Sequence, residues 1–135
     1  MRRWSAHSQK VFNSLDFRLK VLVMRLRDEV GDISLLYGYR DRETQNGMYE
    51  NGVSKLKYPK SYHNKHPSLA VDFQPYPMPT DDIMIHASLA YYAGHAMRIA
   101  REERFTIRWG GDWNENGILQ DETFRDYYHI EIPEA

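Results

Sequence analysis

Apolar positions fall at helical spacing in a few stretches of the chain and at strand spacing in several short ones. Between Asp16 and Val30, the residues Leu19, Leu22, Val23, Leu26 and Val30 recur at steps of three and four, which gives a helix one buried face. Gly31 stops it. A shorter helix is predicted from Ser5 to Asn13, with Ser5 as its cap, and another from a cap at Asp41 to about Tyr49, ended by Asn51-Gly52. The longest helix runs from a cap at Thr80 or Asp81 to about Glu103; its Ala-, Met- and Tyr-rich composition predicts that it is well buried.

Strands are predicted at Ile33 to Tyr37, Leu69 to Phe73, Thr106 to Trp109 and Tyr128 to Ile132. Val53 to Ser68, broken by Pro59 and Pro67, reads as loop, and so does the polar stretch from Gly110 to Asp121. Helices come early and strands follow without a regular βαβ rhythm. The fold class is therefore α+β, with a small, largely antiparallel sheet flanked by helices. There is no repeat, low-complexity tract or linker, so residues 1–135 are expected to form a single domain.

Composition narrows the function. Lys plus Arg is 18 against 19 for Asp plus Glu, a net charge of −1, so no bulk charge favours nucleic acid. The absence of cysteine excludes disulfides, thiolate metal sites and cysteine nucleophiles. No apolar run approaches the roughly 20 residues of a membrane span, and no apolar segment follows the basic start. A cytoplasmic product without membrane association is expected.

Six histidines carry the candidate chemistry. His7, His86 and His95 read as surface or satisfied core residues; the last two lie nine apart on one helix, which is not a helical metal pair. His63 and His66 precede the strand that holds Asp72, and His129 opens the last strand, with Asp126 three before it and Glu131 two after. Two histidines and one aspartate would supply three ligands of a hydrolytic zinc and leave a position open to water. The carboxylate of Asp126 could then take the proton from that water. Scattered His and Asp are common, so the spacing alone leaves a structural role open.

Several motifs in order extend this reading. Gly38-Tyr39-Arg40 is followed by Ser61-x-His63, then by His63-Asn64-x-x-Pro67-Ser68-x-Ala70-Val71-Asp72-x-x-Pro75-Tyr76-Pro77. Next comes Arg108-Trp109-Gly110-Gly111-Asp112-Trp113, and last Asp126-x-x-His129-x-Glu131. From about Ser8 to Ile132 the chain resembles the zinc peptidases that include D-Ala-D-Ala carboxypeptidases and dipeptidases, and in particular their phage endolysin branch of L-alanyl-D-glutamate endopeptidases.

The resemblance implies the DD-peptidase/Hedgehog-like fold and one Zn²⁺ held by His63, Asp72 and His129. The spacing from either His63 or His66 to Asp72 departs from the usual family pattern. The Ser61-x-His and Asn64…Pro67-Ser68 context favours His63 as the first ligand. The resemblance further implies that Asp126 is general base and then general acid, and that Arg40 stabilises the oxyanion. Ser61 and Gln45 would contact substrate or support the site. Glu131 would stand behind His129, because strand alternation puts the two on one face.

The substrate implied is the peptidoglycan stem peptide, cut at L-Ala–D-Glu by a monomeric endolysin that reaches the wall by holin-type release. A D-Ala-D-Ala carboxypeptidase, or a phage structural module that kept the fold without catalysis, is the alternative. Asp112, Asn114, Asn116 and Asp121, with Gly117 at the sixth position, begin like a calcium loop. Thr123 stands where an EF-hand wants Glu, so a Ca²⁺ site here is expected only in weakened form, against a plain Asn/Gly turn.

Overall fold

A computed structural model describes residues 3–134. Its helices are α1 (Ala6–Asn13), α2 (Phe17–Glu29), α3 (Arg42–Glu50) and α4 (Asp82–Glu102), with a single 3₁₀ turn at Tyr62–Asn64. The strands are β1 (Ile33–Tyr37), β2 (Ala70–Pro75), β3 (Arg108–Trp109) and β4 (His129–Glu131). They form one sheet in the order β1-β2-β4-β3, antiparallel at every pairing. This is the α+β architecture expected from the sequence.

The helix starts are set by capping. The side chains of Ser5, Asp16, Asp41 and Asp81 each accept a hydrogen bond from a backbone N–H in the first turn of α1, α2, α3 and α4. Asp81, not Thr80, therefore starts the long helix. Two expectations need correction. β2 runs on to Pro75 because Gln74 and Pro75 still pair with Ser34 and Ile33 of β1. And α4 is buried along one face only: Leu89, Tyr92, Ala93, Ala96, Ile99 and Ala100 are covered, while Ile83, Met84 and Tyr91 are exposed.

Alternation along the strands separates a core face from a site face. Val71 and Phe73 of β2, Ile130 of β4 and Trp109 of β3 point into one apolar cluster with Leu19, Leu22, Val23 and Leu26 of α2 and Ala96 and Ile99 of α4. Truncating one of the larger of these side chains typically costs about 2–5 kcal/mol. The intervening residues, Asp72, Gln74, Arg108, His129 and Glu131, line a cleft on the other face. Helix α1 guards the outer edge of β1, where Ser8 Oγ accepts from Leu35 N at 3.0 Å. Among the described residues no helix is long and apolar enough to cross a membrane.

Candidate metal centre and active site

Pairing register places Asp72 of β2 directly opposite His129 of β4, so two residues 57 positions apart become cross-strand neighbours. The third member arrives from the 3₁₀ turn. Ser61 caps that turn: its Oγ accepts from His63 N, and Asn64 Oδ1 accepts from Ser61 N. The turn is tied to the end of β1, because Arg40 N donates to the His63 carbonyl and Asn64 Nδ2 donates to the Arg40 carbonyl. Gly38 lies where an added Cβ would overlap Ser14 Oγ, so the chain can pass close to α1 only without a side chain.

The outer partners of the two imidazoles decide which nitrogen each offers. His63 Nδ1 lies 2.7 Å from the Gly38 carbonyl and must donate to it, which leaves the Nε2 lone pair facing inward. His129 Nε2 lies 2.7 Å from Glu131 Oε1 and donates outward, which leaves Nδ1 facing inward. Those inward atoms meet Asp72 Oδ1 at 3.2 and 3.0 Å and each other at 3.3 Å. Three acceptor atoms within 4.8 Å of one another, all on buried residues, form a group suited to a cation. His66 is exposed and packs edge-on against Tyr39, away from this group.

Electrostatics agree with the geometry. Burial alone would push the Asp72 carboxyl up, but the charge and hydrogen bonds of His63 and His129 hold it well below the usual carboxylate range. For His129, burial opposes the charge, yet hydrogen bonds to Asp72 and Glu131 raise its pKa to about 9. Glu131, despite burial, is lowered by its hydrogen bonds with His129 and Arg108, whose Nη2 lies 2.6 Å from Oε2. A metal at this site therefore competes with a proton on His129.

Asp126 behaves differently. Burial raises its pKa, and the nearby charge of Asp72 adds to the rise. It lines the same cleft, of about 840 Å³, whose floor holds His63, Asp72 and His129. The backbone fixes its place: Gly110 N donates to the His129 carbonyl and Asp126 N donates to the Gly110 carbonyl, both at 2.9 Å. A Cβ on Gly110 would overlap the Asp126 carbonyl, so this bridge requires glycine.

Arg40 reaches the floor from the other side. Its Nη2 donates to Asp72 Oδ2 at 2.9 Å, its guanidinium lies 4.5 Å from the Tyr37 ring centre, and its buried Nε has no partner. Ser61 lines the cleft, but Gln45 does not. The Gln45 side chain is fully covered (0% exposed), and its amide is used within the fold, by Ser54 and Leu56 on one side and Arg40 and Asn64 on the other. A direct substrate contact by Gln45 is thus ruled out by its burial; it supports Arg40 from behind. Conversely His86, read from sequence as a surface or satisfied core residue, lines the cleft, with its ring 4.7 Å from that of Tyr127. Asn64 and Arg108 stand within the sequence motifs with no role assigned to them. Capping of the His63 turn gives the first its role, and cross-strand pairing with Glu131 gives the second its own.

The 112–121 loop closes on itself. Asp112 Oδ2 accepts from Gly117 N, and the amides of Asn114 and Asn116 donate to Asp121 Oδ2. Glu122, rather than residue 123, turns inward and accepts from Asn114 N. Asp112 Oδ1 is buried without a partner.

Comparison with known proteins follows the same line. The family model described as phage L-alanyl-D-glutamate peptidase matches residues 1–132. Among solved structures, the crystal structure of the Serratia marcescens L-Ala D-Glu endopeptidase ChiX is similar, with a TM-score of 0.72 and 24% identity. The similarity covers 98% of this chain and 90% of that one, and it shows a shared fold. No curated protein sequence matches. On a family match that spans almost every residue, over a fold that carries a His-Asp-His group in its cleft, the chain belongs to the phage L-alanyl-D-glutamate peptidase family and is a peptidase of bacterial peptidoglycan.

Proposed function

We propose that the protein is a zinc-dependent endolysin that hydrolyses the L-Ala–D-Glu bond of the peptidoglycan stem. It would act as a monomer, after a holin-type lesion gives it access to the wall. The observation that carries the zinc reading is the inward convergence of His63 Nε2, Asp72 Oδ1 and His129 Nδ1 on the cleft floor. All three are nitrogen or oxygen donors without a thiolate, as in hydrolytic rather than structural zinc sites. When bound, the metal supplies Lewis-acid activation of water and of the scissile carbonyl.

The chain's own residues account for the rest. Asp126, with its raised proton affinity, takes the proton of the attacking water and delivers it to the leaving D-glutamyl amine. Arg40 lines the cleft beside this group and offers its guanidinium charge to the oxyanion, and Asp72 and Gln45 hold that guanidinium in place. Ser61 keeps the His63 turn in shape, and Glu131 keeps His129 in the tautomer that offers Nδ1. The orphaned Asp112 Oδ1 supports a second, weaker reading, in which Asp112, Asn114, Asn116 and Asp121 take up Ca²⁺ after the loop's internal bonds rearrange.

Mass spectrometry of muropeptides after digestion, with and without a chelator, tests the central reading. A new D-glutamyl amino terminus that disappears on chelation is the expected product. Release of D-Ala instead would make the protein a carboxypeptidase, and no product at all would leave a non-catalytic module.

A further inference from the structure

The cleft carries more positive charge than its floor requires. Arg40 is paired with Asp72, and Arg108 with Glu131. Lys55, Lys60 and Arg125 line the same cleft, yet among the described residues no ion pair ties any of them to a carboxylate. Arg125 instead donates to the carbonyls of Leu119 and Gln120.

Lys55 is the best placed of the three. Its neighbours on both sides are pinned, because Gln45 Nε2 donates to Ser54 Oγ at 2.9 Å and to the Leu56 carbonyl at 2.6 Å. The other end of the same amide accepts from Arg40, which is bonded to Asp72. A buried chain of side chains thus sets the Lys55 backbone relative to a proposed metal ligand. The Lys55 ammonium reaches the opposite lip of the cleft, where it lies 4.6 Å over the ring of Phe124, itself stacked on Trp113. Trp113 in turn lies 5.5 Å from the His129 ring, between centroids.

The chemistry of the bond supplies an anion to match. A D-glutamyl residue whose amine is the leaving group has two carboxyls. One continues the stem; the other remains free, a few bonds from the cut. Resting on the peptidase reading above, we propose that Lys55 determines specificity by binding this free carboxylate. Lys60 and Arg125 add to the positive field. The ammonium exchanges the ring face of Phe124 for a charge-assisted hydrogen bond, the stronger contact. Stems whose D-glutamyl carboxyl is free are then preferred over stems in which it is amidated.

Two synthetic stem peptides that differ only in this group, acid in one and primary amide in the other, test the idea with the metal-loaded enzyme. The wild type should cleave the acid on the order of 10- to 100-fold more efficiently, with the difference in KM. Lys55→Met, which keeps the apolar stem over Phe124, should erase most of that preference by raising KM for the acid, and Lys55→Arg should restore it. Equal cleavage of both peptides by the wild type would overturn the inference, as would a K55M enzyme that loses both activities in proportion. Cleavage of neither peptide by the wild type would overturn the peptidase reading itself, and this inference with it.

Discussion

Asp126 and Asp72 are two acids of one cleft, and their removal should have opposite signatures. Asp72 lies between His63 and His129 and also carries the ion pair to Arg40. In Asp72→Ala the Arg40 guanidinium stays buried with only a 3.5 Å bond to Gln45 among its side-chain partners. Breaking a buried pair in this way costs about 3–5 kcal/mol. With an unfolding entropy of roughly 0.3 kcal/mol/K for a chain of this length, the melting temperature should fall by about 10–18 °C. Bound zinc should be lost along with activity.

Asp126 is carried at a cost in the folded protein, since burial raises its pKa. Asp126→Ala should therefore melt within a few degrees of the wild type or above it, and keep its zinc. Its turnover should nevertheless drop by about 100- to 10,000-fold, equivalent to roughly 3–5 kcal/mol of transition-state stabilisation. Metal content by mass spectrometry, melting by calorimetry and turnover on a stem peptide, measured side by side, decide the matter. A folded, zinc-loaded D126A enzyme with near wild-type turnover would refute the proposed base. Equal destabilisation of the two variants would refute the division of labour.

Three further outcomes can be checked. Glu131→Gln should weaken zinc binding by about 10- to 100-fold in a competition titration, because the outward hydrogen bond that orients His129 loses its charge. In the metal-free protein, the His129 pKa of about 9 stabilises the fold fully below its ordinary value near 6.5, and that contribution is lost as pH rises through 9. The loss is on the order of 3 kcal/mol, visible as a fall in melting temperature of about 10 °C between pH 6 and 10; a flat profile would contradict the pairing. If the 112–121 loop takes up calcium, millimolar Ca²⁺ should raise the melting temperature of the wild type and leave Asp112→Ala unmoved.

Much of this molecule was legible in its sequence because the relevant information is local. The α2 periodicity and the capping residues Ser5 and Asp41 specify their helices without reference to the rest of the chain. The strands were found, but not their ends: β3 and β4 stop where pairing stops, which is a property of two distant segments. The site follows the same division. The motifs located His63, Asp72 and His129, and alternation placed Glu131 behind His129. The burial of Gln45 and the presence of His86 in the cleft depend on how loops 53–60 and 110–126 lie over the sheet, and no short-range pattern encodes that.

The Gly110 bridge bears on what can be changed in this scaffold. The backbone of Gly110 holds both Asp126 and His129, so the chain between residues 111 and 125 is an excursion closed at its base. Residues can be inserted at its exposed tip, or the tip rewritten, without altering the spacing between the proposed acid–base group and the nearest proposed metal ligand. Closing a longer loop costs little, about 0.6 kcal/mol per doubling. An engineer could graft a wall-binding peptide there, or tune the cleft rim for a different stem, while the reacting groups keep their separation. The same operation on the segment that carries Lys55 would be less forgiving, since Gln45 grips it on both sides of the lysine.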